Sequence, residues 1–223
     1  MTFRAVLTVA FDWNGTLVDD AERACAAAGI VLERRGLPPL ERDRFHEGFH
    51  LPLRTWIASL GVPAREVDEA IREWNQEIGD RPAELTAGAR QAIEAMRSSG
   101  IHLGVVSAAS LEALQRDLDR PALSGFAEQL AFIVGDAEPK RTAFATLAGA
   151  RPRDFVYVGD TEYDMREARA AGVRSIGYAG GYRPASALAG AGADRIIGRL
   201  SELPVVLDGI RPGALAAGSD GSR

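Results

Sequence analysis

The run Arg-Ala-Val-Leu-Thr-Val-Ala-Phe at residues 4–11 is almost continuously apolar and β-favouring, and it stops at Asp12 before a glycine turn at Gly15. A strand without polar alternation is buried on both faces, as in a parallel sheet. Stretches of similar character recur at residues 101–106, 131–134, 155–158 and 173–177, most of them separated by helical periodicity. That alternation predicts a doubly wound α/β sheet. The helix expected over 86–99 shows the pattern, with Thr86 as cap, Ala89, Ala92, Ile93 and Met96 on one face, and Gly100 as the stop.

Residues 19–83 have a different texture, rich in Arg and Glu and in helical spacing, with few strand signals. Helices are predicted at 20–35, 41–46, 53–60 and 65–78, broken by Gly36-Leu-Pro-Pro39, by Pro52 and by Gly61-Val-Pro63. The reading is an inserted all-helical cap at 19–83 within a core formed by 1–18 and 84–210. The small, polar, glycine-rich segment 211–223 is expected to be a flexible tail.

Composition narrows the function classes. With 46% apolar and 26% charged residues the chain is neither disordered nor built for a bilayer, and a net charge of −5 offers no polybasic face to nucleic acid or an anionic membrane. No uncharged apolar run reaches the length of a membrane span, and no signal peptide is expected. One cysteine, Cys25, permits no internal disulfide and suits a reducing cytoplasm. Lys140 is the only lysine beside 25 arginines.

Four polar points fall at or near the carboxyl ends of predicted strands, where an open α/β sheet places its ligand crevice. They are Asp12, Ser107, the pair Asp160 and Asp164, and Lys140, which opens the helix after the 131–134 strand. Each has a bland alternative when taken alone. The aspartates could cap helices, Ser107 could make a turn, and Lys140 could sit in solvent. A chain that uses arginine at its other cationic positions weakens the last reading, because the two cations differ physically.

In chain order, Asp12-Trp-Asn-Gly-Thr-Leu17, Val105-Val-Ser107, Lys140 and Gly159-Asp-Thr-Glu-Tyr-Asp164 resemble the haloacid dehalogenase superfamily, from about residue 4 to residue 200. The helical insertion is similar to the cap of its phosphoglycolate phosphatase-like members. The resemblance implies a Rossmann-like core and a magnesium-dependent phosphatase acting on a small phosphorylated metabolite. It implies Asp12 as the nucleophile that forms an aspartyl-phosphate. Mg2+ would be held by Asp12, the backbone carbonyl of Asn14 and Asp160, with Asp164 orienting a coordinated water. Ser107 would donate to a phosphoryl oxygen, Lys140 would stabilise charge and hold the nucleophile, and Thr16 would bond locally or reach the phosphoryl group. Arg23, Phe49, His50 and Arg54 are the cap residues that would touch substrate. Trp13 and Trp56 could line the crevice. His46 and His50, spaced four apart, lack a third ligand and are read as packing or substrate contacts; His102, inside a strand, is read as structural.

One position departs from the pattern. Phosphatases of the superfamily usually carry a second aspartate two residues after the nucleophile as general acid and base, and here that residue is Asn14. An amide cannot release and recapture a proton at neutral pH, so a contribution of about 10² to 10⁴ in rate, roughly 3 to 5 kcal/mol of barrier, should be missing. Either the substrate has a good leaving group, or water or the substrate carries the proton, or turnover is slow and the protein is mainly a phosphometabolite binder or regulator. Schiff-base phosphonatase chemistry would need a cap lysine, and the cap has none. The metal-free dehalogenase branch usually has an aromatic hydroxyl at position 14, and phosphosugar mutase chemistry ranks below hydrolysis because it too wants the missing acid.

Overall fold

The computed structural model describes residues 6–210; the expected tail at 211–223 and the first residues of the first expected strand lie outside them. Six strands form the sheet: β1 (Thr8–Phe11), β2 (His102–Val106), β3 (Phe132–Val134), β4 (Phe155–Gly159), β5 (Arg174–Tyr178) and β6 (Arg195–Ile197). Their order is β3-β2-β1-β4-β5-β6, and each neighbouring pair is parallel. The order reverses beside β1, which makes that edge the switch point where such sheets bind ligands. β6 is a strand that periodicity missed: it has three residues, two of them exposed.

Alternate residues of the central strands enter opposite layers. Val9, Phe11, Val156 and Val158 pack with Ile93, Met96 and Leu114 on one face. Ala10, Phe155 and Tyr157 pack with Phe144 and Ala168 on the other. Both faces are therefore apolar, which is why these strands read as continuous hydrophobic runs.

The helices in chain order are α1 (Ala21–Glu33), α2 (Arg42–Gly48), α3 (Leu53–Ser59), α4 (Val67–Gly79), α5 (Ala89–Ser98), α6 (Leu111–Leu118), α7 (Lys140–Ala148), α8 (Glu162–Ala170), α9 (Ala185–Gly190) and α10 (Leu203–Asp208). The first four form an all-helical insert after β1, with an apolar cluster centred on Val31, Phe45, Trp56 and Trp74 that Tyr182 of the core also joins. Its entry and exit run side by side, with Thr86 N donating to Leu17 O at 2.9 Å and Asp19 N to Glu84 O at 3.0 Å. α5 starts later than expected. Gly88 precedes its first turn, and the Thr86 hydroxyl has no hydrogen-bond partner, so Thr86 is not the cap. Among the described residues no helix is long and apolar enough to cross a membrane.

Candidate active site

Register brings the chemistry together. Phe11 lies opposite both Val105 and Val158, so Asp12, Ser107 and Asp160 emerge at one edge of the sheet. The turn after β1 needs Gly15, whose φ is 76°; a Cβ there would stand 2.3 Å from Asp160 Oδ2. On the other side, a Cβ on Gly181 would stand 2.4 Å from the same oxygen. Two loops therefore close on Asp160 because neither carries a side chain at that point.

Lys140 fills the space beneath. Fully buried, its Nζ donates to Asp12 Oδ2 at 2.8 Å, Asp164 Oδ1 at 2.7 Å and the Tyr157 hydroxyl at 2.8 Å. Trp13 N donates to Asp12 Oδ1 at 2.8 Å, so both Asp12 oxygens are oriented. Asp160 accepts from the Thr16 hydroxyl at 3.0 Å and from Tyr182 N at 2.7 Å. Asp164 does two jobs, since it holds Lys140 and also closes the capping box of α8 with Thr161. The capping alternative and convergence on the site thus hold together for this residue.

Three buried carboxylates cluster here, and one ammonium meets two of them, Asp12 and Asp164. Burial, opposed by Lys140, pushes Asp12 up to about 6. Burial and the charges of Asp164 and Asp12 hold Asp160 well above the usual carboxylate range. Burial would lower the Lys140 ammonium, yet Asp12 and Asp164 carry it above its ordinary value. Ligand oxygens of Asp12, Asp160 and Asp164 lie within 4.8 Å of one another. This all-oxygen, charge-deficient set fits a hard divalent cation.

A stability test follows from the charges. Between the ordinary carboxylate value and about 6 the folded state holds more protons at Asp12 than the unfolded chain does, so metal-free stability falls as pH rises through that window. In chelator, the thermal midpoint should drop from pH 5 to pH 7.5, and a divalent cation should raise it more at pH 7.5 than at pH 5. A midpoint that rises over this range would contradict the balance of charges.

A second polar network joins the loop after β1 to the insert. The Asn14 side-chain amide donates to Asp20 Oδ2, while Gly15 N and the Tyr182 hydroxyl both donate to Asp20 Oδ1 at 2.8 Å. Arg23 forms a bidentate pair with Asp117, at 3.0 and 2.7 Å, and approaches Asp20 at 3.5 Å; Trp13 Nε1 also donates to Asp117, at 3.0 Å. Arg120 reaches back to the Gly79 carbonyl, and Arg183 ties Glu162 to the His46 carbonyl.

A cavity of about 300 Å³ opens between this floor and the insert. Asp12, Asn14, Ser107, Phe49 and Arg54 line it, as does Trp13. Thr16 is buried behind Asp160, Lys140 lies beneath the floor, and Arg23 is taken up by its carboxylates; none of the three lines the cavity. His50 lies past the end of α2 and borders a neighbouring depression, so it shares no helix face with His46, whose Nδ1 sits 3.2 Å from the Tyr182 carbonyl oxygen. Trp56 is buried in the insert's cluster, and His102 opens β2 at an exposed position. Sequence reasoning missed Asp20, Asp117 and Tyr182. Only Tyr182 left a signal, in the Gly180-Gly181 pair that follows a predicted strand.

Comparison with known proteins identifies relatives of the chain. The family model described as haloacid dehalogenase-like hydrolase matches residues 9–178. A phosphoglycolate phosphatase of Xanthomonas campestris pv. campestris is 32% identical over 194 residues, covering 81% of this chain and 85% of its own. An N-acetylmuramic acid 6-phosphate phosphatase of Pseudomonas aeruginosa is 28% identical over 224 residues, covering 93% and 96%. The crystal structure of a hydrolase from Pseudomonas syringae shares the fold, with a TM-score of 0.77 at 21% identity over 93% of this chain and 100% of that one. The chain belongs to the haloacid dehalogenase-like hydrolase family.

Proposed function

We propose that the protein is a magnesium-dependent phosphatase that hydrolyses a small phosphorylated metabolite through an aspartyl-phosphate on Asp12. The observation that carries this reading is the convergence of Asp12, Lys140, Asp160 and Asp164 at the switch point of the sheet, with Asp12 facing a cavity. Relatives named as phosphatases of small phosphorylated compounds support it. In this reading 1–18 and 84–210 form the catalytic core, 19–83 is the cap that selects substrate, and the single cysteine suits the cytoplasm.

Asp12, the Asn14 backbone carbonyl, Asp160 and Asp164 would hold the Mg2+, which supplies positive charge against the incoming phosphoryl group. Lys140 and Trp13 N keep the Asp12 carboxylate from swinging, so one oxygen can attack phosphorus in line with the leaving oxygen. The Asp12 O–P bond forms as the ester P–O bond breaks. Ser107, at the cavity edge, donates to a phosphoryl oxygen. Water then attacks the same phosphorus, which releases phosphate and restores Asp12.

The proton is the weak point. The Asn14 amide donates one hydrogen bond to Asp20, so the carboxylate absent from position 14 is present six residues later, with the amide between it and the cavity. Asn14→Asp alone would set a half-buried carboxylate against the buried Asp20, and the metal-free protein should lose stability. The double change Asn14→Asp with Asp20→Asn restores one carboxylate and one amide in exchanged order. It should raise turnover of alkyl phosphates by about 10² or more, with a smaller gain on an aryl phosphate. Equal gains on both would mean that the proton does not limit turnover.

The Asn14 substitution also favours a second reading, a phosphometabolite-binding or regulatory protein with little turnover. Phosphate release from a metabolite panel with and without magnesium separates the two: turnover of the order of 1 per second rejects the binder. Metal-dependent binding without release rejects the enzyme.

A further inference from the structure

The wall that the insert presents to the cavity is mostly hydrocarbon: Phe49, Leu51, Leu53, Ile71, Trp74 and Ile78 form most of it, with Asn75 and Arg54 as its polar members. Amphipathic aromatics around the cavity turn their polar atoms elsewhere: Trp74 Nε1 donates to Ala24 O at 3.1 Å, Trp13 Nε1 to Asp117, and the Tyr182 hydroxyl to Asp20. What remains toward the cavity is ring surface. Among the described lining residues Arg54 is the one cation; it pairs with Asp68 at an exposed position, whereas Asp117, Asp136 and Glu138 also border the space. A short anionic leaving group, such as a carboxylate or a second phosphate, would lie on an apolar wall near carboxylates with no buried cation to meet it, which is costly.

Asn14 adds an independent constraint. With no acid at that position, a leaving oxygen that is stable without protonation departs most readily. About 300 Å³ lies at the small end of ligand cavities and suits a phosphoryl group with one ring system.

We propose that the substrate class is an aryl-type phosphoric monoester: an uncharged, planar, apolar group carrying its phosphate on a phenol-like hydroxyl. This rests on the phosphatase reading above. The aryl oxygen keeps the electron pair of the broken P–O bond, leaves as the phenolate and takes its proton from water. Phe49 and Trp74 then select for the ring, and Asn14 selects for the acidity of its hydroxyl.

The test compares 4-nitrophenyl phosphate, benzyl phosphate, acetyl phosphate and phosphoglycolate with magnesium. Benzyl phosphate shares the ring but leaves as an alkoxide; acetyl phosphate leaves readily but lacks the ring. The aryl ester should exceed each of the others in kcat/KM, phosphoglycolate and benzyl phosphate by about 100-fold. Ile71→Arg and, as a second variant at another half-buried position, Leu53→Arg should shift the ratio of aryl ester to phosphoglycolate at least about tenfold toward phosphoglycolate. Phosphoglycolate matching the aryl ester, or ratios unmoved in both variants, would overturn the substrate class and leave the phosphatase standing. Hydrolysis of none of the four would overturn both.

Discussion

Replacing Asp12 by alanine is expected to lower metal-dependent phosphate release at least about 10³-fold while leaving the fold intact. The loss is chemical, because no other carboxylate on the floor faces the cavity from the same position. Asp160 is closed in by Thr16, Tyr182 and two glycine loops, and Asp164 is held by Lys140 and the first turn of α8. The accompanying effect on stability has the opposite sign. Asp12 is buried against its preference, so its removal leaves Lys140 balanced by Asp164 and relieves repulsion on Asp160. In chelator at pH 7.5 the variant should unfold at or above the wild-type temperature, and magnesium should raise its midpoint less. A variant that unfolds well below wild type would show that Asp12 is a structural residue.

Lys140→Met should produce the largest loss of stability. The ammonium reaches three oxygens within 2.8 Å in a site closed to solvent. Methionine fills similar volume but leaves Asp12 and Asp164 buried without their counter-charge, a change of about 3 to 5 kcal/mol. Lys140→Arg should not rescue it, because a planar fork cannot replace a compact ammonium between three converging acceptors. Denaturant unfolding at pH 7.5 without metal measures the deficit. Moving to pH 5, where Asp12 takes up a proton, should narrow it, as should adding magnesium. Wild-type stability in the methionine variant would mean that the cluster does not depend on Lys140 for its charge balance.

The contrast between what the sequence discloses and what it hides is physical. Asp12, Ser107 and Asp160 are legible because each follows an apolar run, and a buried parallel strand can end in a polar group only where it reaches an open edge. Lys140 stands out by being the one lysine. The sheet and the four-helix insert follow from periodicity, but β6 does not, since three edge residues give no pattern to read. Partnerships formed across the fold are silent: Arg23 looks like a substrate contact on an amphipathic helix until its partner Asp117, 94 residues on, is brought against it. Asp20 carries no signal in the sequence, and only folding shows that it accepts from the Asn14 amide and from the hydroxyl of Tyr182, 162 residues away. Thr86 misleads for a local reason, because its backbone pairs with Leu17 in the stalk of the insert and the helix begins only after Gly88.

In the proposed mechanism Asn14 cannot activate water, so an aspartyl-phosphate on Asp12 should persist long enough to be caught. Rapid acid quench of the magnesium-loaded protein with an aryl phosphate, followed by peptide mass analysis, is the most direct measurement. The expected result is one phosphoryl group per chain on the peptide containing Asp12, formed in a burst and missing from Asp12→Asn protein. Steady release of phosphate with no phosphoryl group on that peptide, or an equal burst from Asp12→Asn protein, would contradict the account.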